Sequence, residues 1–364
     1  MANMNSFLSS FPSKLYTADE LLHGFVNDDP ASYVNTWDFR TFAQYVKDGG
    51  SAPASLDVRL RQAEHDSYMS DALRRYLITH ESVVGIMGGH NLLRSDDAFA
   101  AIATLARSLT QNGFLVVTGG GPGAMEAAHL GAAFSSAGND VLERALEEIR
   151  KVPKLPNLQG LLNPDGTIAP GQEENIREAH QWLFAALKAK ALAPELLGES
   201  LAIPTWLYGQ EPTTPLATSY AKYFQNSIRE EGLITNARAG VVYAQGGGGT
   251  LREIFQDMEQ NYYAQDATHF TPMIFFDPGG YWKRDAEYNQ NGGIKTPGIK
   301  IDDTVKKIVR FARAGHGDAD QCLFKVRFTM NITEILDVLK SHAPVAKVRM
   351  RFLLKVGDTD RFSN

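Results

Sequence analysis

Apolar positions recur along this chain with two different periods, and the places where the period changes divide it into segments. From about residue 17 to 80 the pattern is helical and rich in polar residues. In LDVRLRQAEHDSYMSDALRRYLITH the positions Leu56, Leu60, Ala63, Tyr68 and Leu73 return at roughly helical spacing, which predicts a helical N-terminal extension over 1–80. At residue 83 the texture changes. SVVGIMG is a short continuous apolar run, SDDAFAAIATLARSLTQNG is an amphipathic helix with Ser95 as its N-cap, and FLVVTG is a second buried strand, so the stretch reads as a β-α-β unit. The next helix, PGAMEAAHLGAAFSSAG, has Pro122 at its start, where a fixed φ suits the first turn.

Residues 152–175 are rich in Pro and Gly and lie between two helical segments, which marks about 139–198 as an insertion with a lid-like loop. Alternation then resumes: LAIPTWLYG reads as a strand, TSYAKYFQNSIREEGLI as a helix, GVVYAQ as a strand, TLREIFQDMEQNYY as a helix and TPMIFFD as a strand. Continuously apolar strands separated by helices predict the α/β class, a doubly wound, mostly parallel sheet covered on both faces. This domain is expected over 81–300. A C-terminal α/β extension follows over 301–364: helix DDTVKKIVRFARAG, strand CLFKVRFTM, helix ITEILDVLKSH and a strand-like tail, VAKVRMRFLLKV. In the tail, Val348, Met350 and Phe352 alternate with Arg349 and Arg351 in the manner of a half-buried edge strand.

Composition narrows the function classes. The 364 residues are 43% hydrophobic and 21% charged, which excludes collagen-like, disordered and membrane-embedded classes. A net charge of −6 leaves no overall electrostatic footprint for nucleic acid, although the tail holds a local basic excess in Lys340, Lys347, Arg349, Arg351, Lys355 and Arg361 against Asp358 and Asp360. The single cysteine, Cys322, cannot close an intramolecular disulfide. With no secretory signal pattern and no apolar run of the roughly 18 residues that span a membrane, the chain reads as cytoplasmic, without a membrane partner. The spacing of His316, Asp318, Asp320 and Cys322 fits no established zinc pattern, so no metal is expected.

Glycine, at 32 residues, is close to average in amount but not in placement. Gly119, Gly120, Gly121 and Gly123 join an apolar run to a helix start, and Gly246, Gly247, Gly248 and Gly249 do the same. In such a junction glycine lets the backbone reach φ > 0 and lets a ligand approach closely, while the helix start offers unpaired N–H groups to an anion. A tight turn alone also uses glycine. Four in a row exceed a turn's needs, and two such loops at the carboxyl ends of parallel strands face one crevice, so a phosphate-bearing ligand is the expectation. The lysine of a P-loop is missing from both runs. Asp140 lies near the distance of the acidic residue in a dinucleotide fingerprint but sits in a helical segment, and no Gly-x-Ser-x-Gly elbow occurs.

GGGPGAMEAA (Gly119–Ala128) and GGGGTLRE (Gly246–Glu253), together with GIMGGH and FFDPGGYW, resemble the signatures of the LOG family over about residues 83–285. That family carries the label "lysine decarboxylase-like", and its well-described members are nucleoside 5′-monophosphate phosphoribohydrolases. The resemblance implies a Rossmann-like fold of the larger bacterial type, no cofactor, a nucleoside monophosphate as substrate and assembly as a homodimer or larger homo-oligomer. It further implies that Gly246, Gly247, Gly248, Gly249 and Thr250 hold phosphate at a helix start and that Glu253 is the catalytic carboxylate. Gly88, Gly89, Gly119, Gly120, Gly121, Gly123, Met125 and Glu126 would line the substrate crevice. The family's arginine maps to Arg229 after a one-residue shift; Gln245 stands at the usual proline position, and Arg252 where an acidic residue is common.

The chemistry of these residues agrees with that assignment. Cleavage of an N-glycosidic bond passes through an oxocarbenium-like transition state, which a carboxylate at the position of Glu253 can stabilise, while a guanidinium and a helix start grip phosphate. Other roles stay open at this point. Thr250 and Glu253 match the spacing of a capping box, Arg229 suits a solvated helix face, Glu126 suits either a ribose contact or the helix dipole, and His90 a solvated loop. The competing functions are a non-catalytic carrier of a nucleotide or of a phosphorylated cofactor such as a molybdopterin, and an NAD-dependent oxidoreductase.

Overall fold

The computed structural model of the chain describes residues 12–209 and 211–357. Residues 1–11 of the expected N-terminal extension, Gln210, and residues 358–364 of the tail, with Asp358, Asp360 and Arg361, lie outside the described residues.

Runs that are apolar at every position can be buried on both faces, and here they are. The chain forms β1 (Val83–Met87), β2 (Leu115–Thr118), β3 (Ser200–Ala202), β4 (Ser219–Tyr220), β5 (Gly240–Tyr243), β6 (Met273–Phe276), an exposed ribbon of β7 (Glu287–Tyr288) with β8 (Ile294–Thr296), and β9 (Val326–Thr329). Seven of these make one sheet in the order β4-β3-β2-β1-β5-β6-β9, with every pair parallel. From β1 the chain winds outward through β2, β3 and β4, then returns to the other side of β1 for β5, β6 and β9. The winding direction therefore reverses between β1 and β5, and a crevice opens beyond their carboxyl ends.

The helices are α1 (Ala18–Leu21), α2 (Trp37–Lys47), α3 (Leu56–Leu77), α4 (Asp97–Gln111), α5 (Ala124–Ala133), α6 (Asn139–Arg150), α7 (Glu173–Lys190), α8 (Asn226–Asn236), α9 (Gly248–Tyr262), α10 (Asp302–Ala312), α11 (Ala319–Phe324) and α12 (Ile332–Gly357). Alternate strand residues point to opposite faces. Val84, Ile86, Val116, Val242 and Ile274 meet α4, α5 and α12, whereas Val83, Val117, Val241, Met273 and Phe275 meet α3, α8, α9 and α10. The fold is thus α/β and doubly wound, as the pattern predicts. No helix among the described residues is long and apolar enough to cross a membrane.

Several local expectations are corrected. The tail is not a strand: α12 continues through Pro344 to Gly357, because Ile335, Val338, Leu339, His342 and Ala346 keep a buried stripe at helical spacing, and Val348 is exposed. Helix α4 takes Asp96, not Ser95, as its N-cap, and α5 starts at Ala124, two residues past Pro122. The apolar run at 201–209 stays extended only to Ala202. Pro204 follows, and Trp206–Tyr208 close into a 3-10 turn. The segment expected to be one helix from Thr218 first forms the two-residue edge strand β4, and α8 begins only at Asn226. Tyr16 exchanges two backbone hydrogen bonds of 2.9 Å with Tyr220 and so covers that edge. In CLFKVRFTM, Cys322 to Phe324 belong to α11, and the strand starts at Val326.

Candidate functional site

Three glycine-bearing loops meet at the reversal point. The first follows β1, the second follows β2 and the third follows β5, and they are laced by backbone hydrogen bonds: Gly89 N–H donates to Gln245 O (2.9 Å) and Ala124 N–H to Gly89 O (3.1 Å), while Thr214 N–H, in the loop after β3, donates to Gly120 O (3.4 Å). The glycines have three different physical reasons. Gly120 and Gly123 take φ of 76° and 70°, which only glycine adopts freely. Gly88, Gly89 and Gly246 are closely packed: a methyl group on Gly88 would overlap the Ala124 side chain, and one on Gly246 would overlap Thr250. Gly247, Gly248 and Gly249 have neither reason. Their φ values are negative, they are exposed, and an added Cβ on any of them meets no atom within 4 Å. These three surround the start of α9, whose first N–H groups have no side-chain cap. What their missing side chains leave free is room for something outside the chain.

The loop is fixed from behind. Tyr281 donates its hydroxyl to Gly246 O (2.5 Å) and Trp282 its indole N–H to Tyr243 O (3.1 Å), so the FFDPGGYW segment supports the second glycine run.

Glu253 lies in the second turn of α9 and is half-buried. Burial pushes its carboxyl up to about 7, helped by the negative Glu230, while the Arg229 charge pulls it down. The capping-box alternative fails, because Gly247 is the N-cap of α9 and Thr250 already lies inside the helix. Arg229 sits in α8, donates through Nε to Ile203 O (3.2 Å), and lays its guanidinium so close over Gly119 that a methyl group there would collide with it. Met125 tucks its thioether under Gly119 and Gly121. Arg252 points away, pairing with Glu230 at 2.8 Å.

A second carboxylate, which no sequence motif marks, stands beside the first glycine run. Glu211 approaches Gly121, pairs with His90 Nδ1 at 3.3 Å, and has its carboxyl raised by burial against the opposing pull of His90 and Arg229. Its only signal is position: a carboxylate in the loop following β3, at the carboxyl end of a strand beside the first glycine run. Glu253 and Glu211 thus both feel the charge of Arg229.

Glu126, expected as a lining residue, is engaged inside the protein. It is fully buried, and both its oxygens accept from Arg94 (2.8 and 2.6 Å). Arg94 also donates to Val152 O and Trp182 O and stacks on the Trp182 ring at 4.0 Å. Its carboxylate is therefore a structural partner that ties the first loop to the insertion, and not a ribose contact. Asp318 is likewise bound bidentately by Arg313, and no metal-binding group of three or more His, Cys, Asp or Glu occurs among the described residues.

No protein-family model matches this chain, and no match to it was found among the curated proteins.

Proposed function

We propose that the chain hydrolyses the N-glycosidic bond of a nucleoside 5′-monophosphate, releasing free base and ribose 5-phosphate. The observation that carries this reading is the set of three unobstructed glycines at the start of α9, with Glu253 in the next turn and Arg229 facing the neighbouring glycine loop. The 5′-phosphate is held by the N–H groups of Gly248, Gly249 and Thr250, which fixes the ribose near Glu253. As the base leaves with the bonding electron pair, positive charge builds on C1′ and the ring oxygen. The Glu253 carboxylate, favoured in its ionised form by the Arg229 charge, stabilises that positive charge and accepts a proton from the attacking water, while the departing base takes up a proton from solvent and Glu253 later returns its own. The reaction needs water and no organic cofactor. The resemblance to the LOG family supports the same reading and adds assembly as a homo-oligomer, which sedimentation would check.

Incubation with a panel of purine and pyrimidine monophosphates, with ribose 5-phosphate as readout, tests the proposal. Absence of release from every nucleotide, in samples where one of them binds, overturns it. The second reading, a carrier of a phosphorylated ligand, is favoured by Gln245 at the position where the family has proline. Glu253→Gln separates the two: an enzyme loses turnover and keeps its ligand, whereas a carrier loses nothing.

A further inference from the structure

The N-terminal helices grip the lead into α8 through side chains that the proposed chemistry does not use. We propose that Asp66 of α3 is a positioning residue for Arg229, holding the first turn of α8 so that the guanidinium stays over Gly119. The role given to Arg229 rests on the reading above; the placement rests on geometry alone.

Asp66 is fully buried. Its two carboxylate oxygens accept the backbone N–H groups of Phe224 (3.0 Å) and Gln225 (2.8 Å), the two residues immediately before α8. Gln225 is the N-cap of that helix and supplies no side-chain cap, so the lead into the helix is held at its N-cap backbone by a carboxylate from a distant helix, near the positive end of the α8 dipole. Asp66 is itself oriented. His65 Nδ1 lies 2.9 Å from its Oδ1, and His65 Nε2 lies 2.9 Å from the Tyr16 hydroxyl. The Phe224 ring is clamped between Trp206, stacked at 4.5 Å, and His65, edge-on at 4.9 Å. Position matters at Arg229 because the contact with Gly119 has no slack: the guanidinium occupies the space that any side chain at 119 would need. The far end of α8 is anchored separately by Leu233 and Ile234 in the core. Loss of Asp66 therefore leaves the helix packed and frees its first turn.

The test compares Asp66→Asn, Arg229→Ala and the double variant in the full chain, with two readouts. The first is monophosphate hydrolysis. Asp66→Asn is expected to lower kcat by about ten- to a hundredfold with KM nearly unchanged, and to add nothing in the Arg229→Ala background. The second is the titration midpoint of the Glu253 carboxyl by carbon NMR, which needs no turnover. The charges facing Glu253 are Arg229 and Glu230 from α8, with Tyr243 from β5 beside it. If Asp66→Asn displaces the guanidinium, the midpoint rises, as it does in Arg229→Ala. An unchanged midpoint, or fully additive losses, overturns the proposal. Should Asp66→Asn fail to fold, Gln225→Pro deletes one of the two donors at an exposed position outside the helix body, and it is judged by the same midpoint. A wild-type protein that hydrolyses no monophosphate defeats the proposed function and leaves the NMR comparison to decide the positioning.

Discussion

At the scale of single residues, Glu253 on the proposed reading affects turnover and stability with opposite signs. Its carboxyl titrates at about 7 in the folded chain and near the ordinary glutamate value when unfolded. Between those two values the folded state holds the proton more tightly, so folding stability is highest below the unfolded value and falls as pH rises through about 7. The full loss amounts to roughly 3 kcal/mol. The proposed reaction needs the ionised form, so turnover follows the opposite course, rising to a plateau above about pH 7. Glu253→Gln is therefore expected to abolish turnover and, at pH 8.5, to raise the melting temperature, with no stability difference at pH 4. Thermal melts at the two pH values check this. A variant destabilised at high pH would show that the carboxylate is a net structural asset.

At the scale of elements, the two glycine runs make opposite predictions. Gly249 lies in the first turn of α9 with open space around it, so Gly249→Ala should stabilise the fold by about 0.5–1 kcal/mol and, on the proposed reading, weaken phosphate binding. Gly123 has φ of 70° and faces the backbone of Gly89 and His90, so Gly123→Ala should destabilise by more than that whatever binds. Denaturant melts with and without inorganic phosphate distinguish the two. This contrast also shows what the sequence could and could not reveal. Both runs were legible as strand-to-helix junctions, because an apolar run, a glycine cluster and a helical period are local signals. Which glycines the turn requires and which stand in open space is not legible there, since that depends on atoms brought from elsewhere. Glu126 misled because its partner Arg94 lies 32 positions away, and Glu211 escaped because its partners come from β1's loop and α8. The tail misled for a different reason: the alternation of Val348, Met350 and Phe352 is shorter than the buried helical stripe that runs into it.

At the scale of the whole molecule, the N-terminal segment is built into the fold in a way that its polar, helical pattern does not reveal. Met69, Leu73 and Leu77 of α3 belong to the same buried cluster as Val83, Val117 and Val241 of the sheet, and Tyr33 and Phe39 pack with Trp182 and Leu183 of the insertion. Asp38 also supplies the counter-charge for Lys222, whose ammonium lies 2.6 Å from Asp38 Oδ1 and donates to Thr213 Oγ1 at 2.7 Å. Burial pulls that lysine down from its ordinary range, against the opposing effect of Asp38. A fragment beginning at residue 81 would lose at least five large core side chains, Met69, Leu73, Leu77, Tyr33 and Phe39, at about 1.5–3 kcal/mol each, together with the Asp38 counter-charge of Lys222. Those losses match or exceed the roughly 5–15 kcal/mol by which a domain is stable. The fragment is accordingly expected to lack a cooperative thermal transition, whereas the full chain melts as one unit. Calorimetry of both decides it. A fragment that unfolds cooperatively within a few degrees of the parent would show that the helices before β1 are an appendage, and would also remove the physical basis for Asp66 acting on α8.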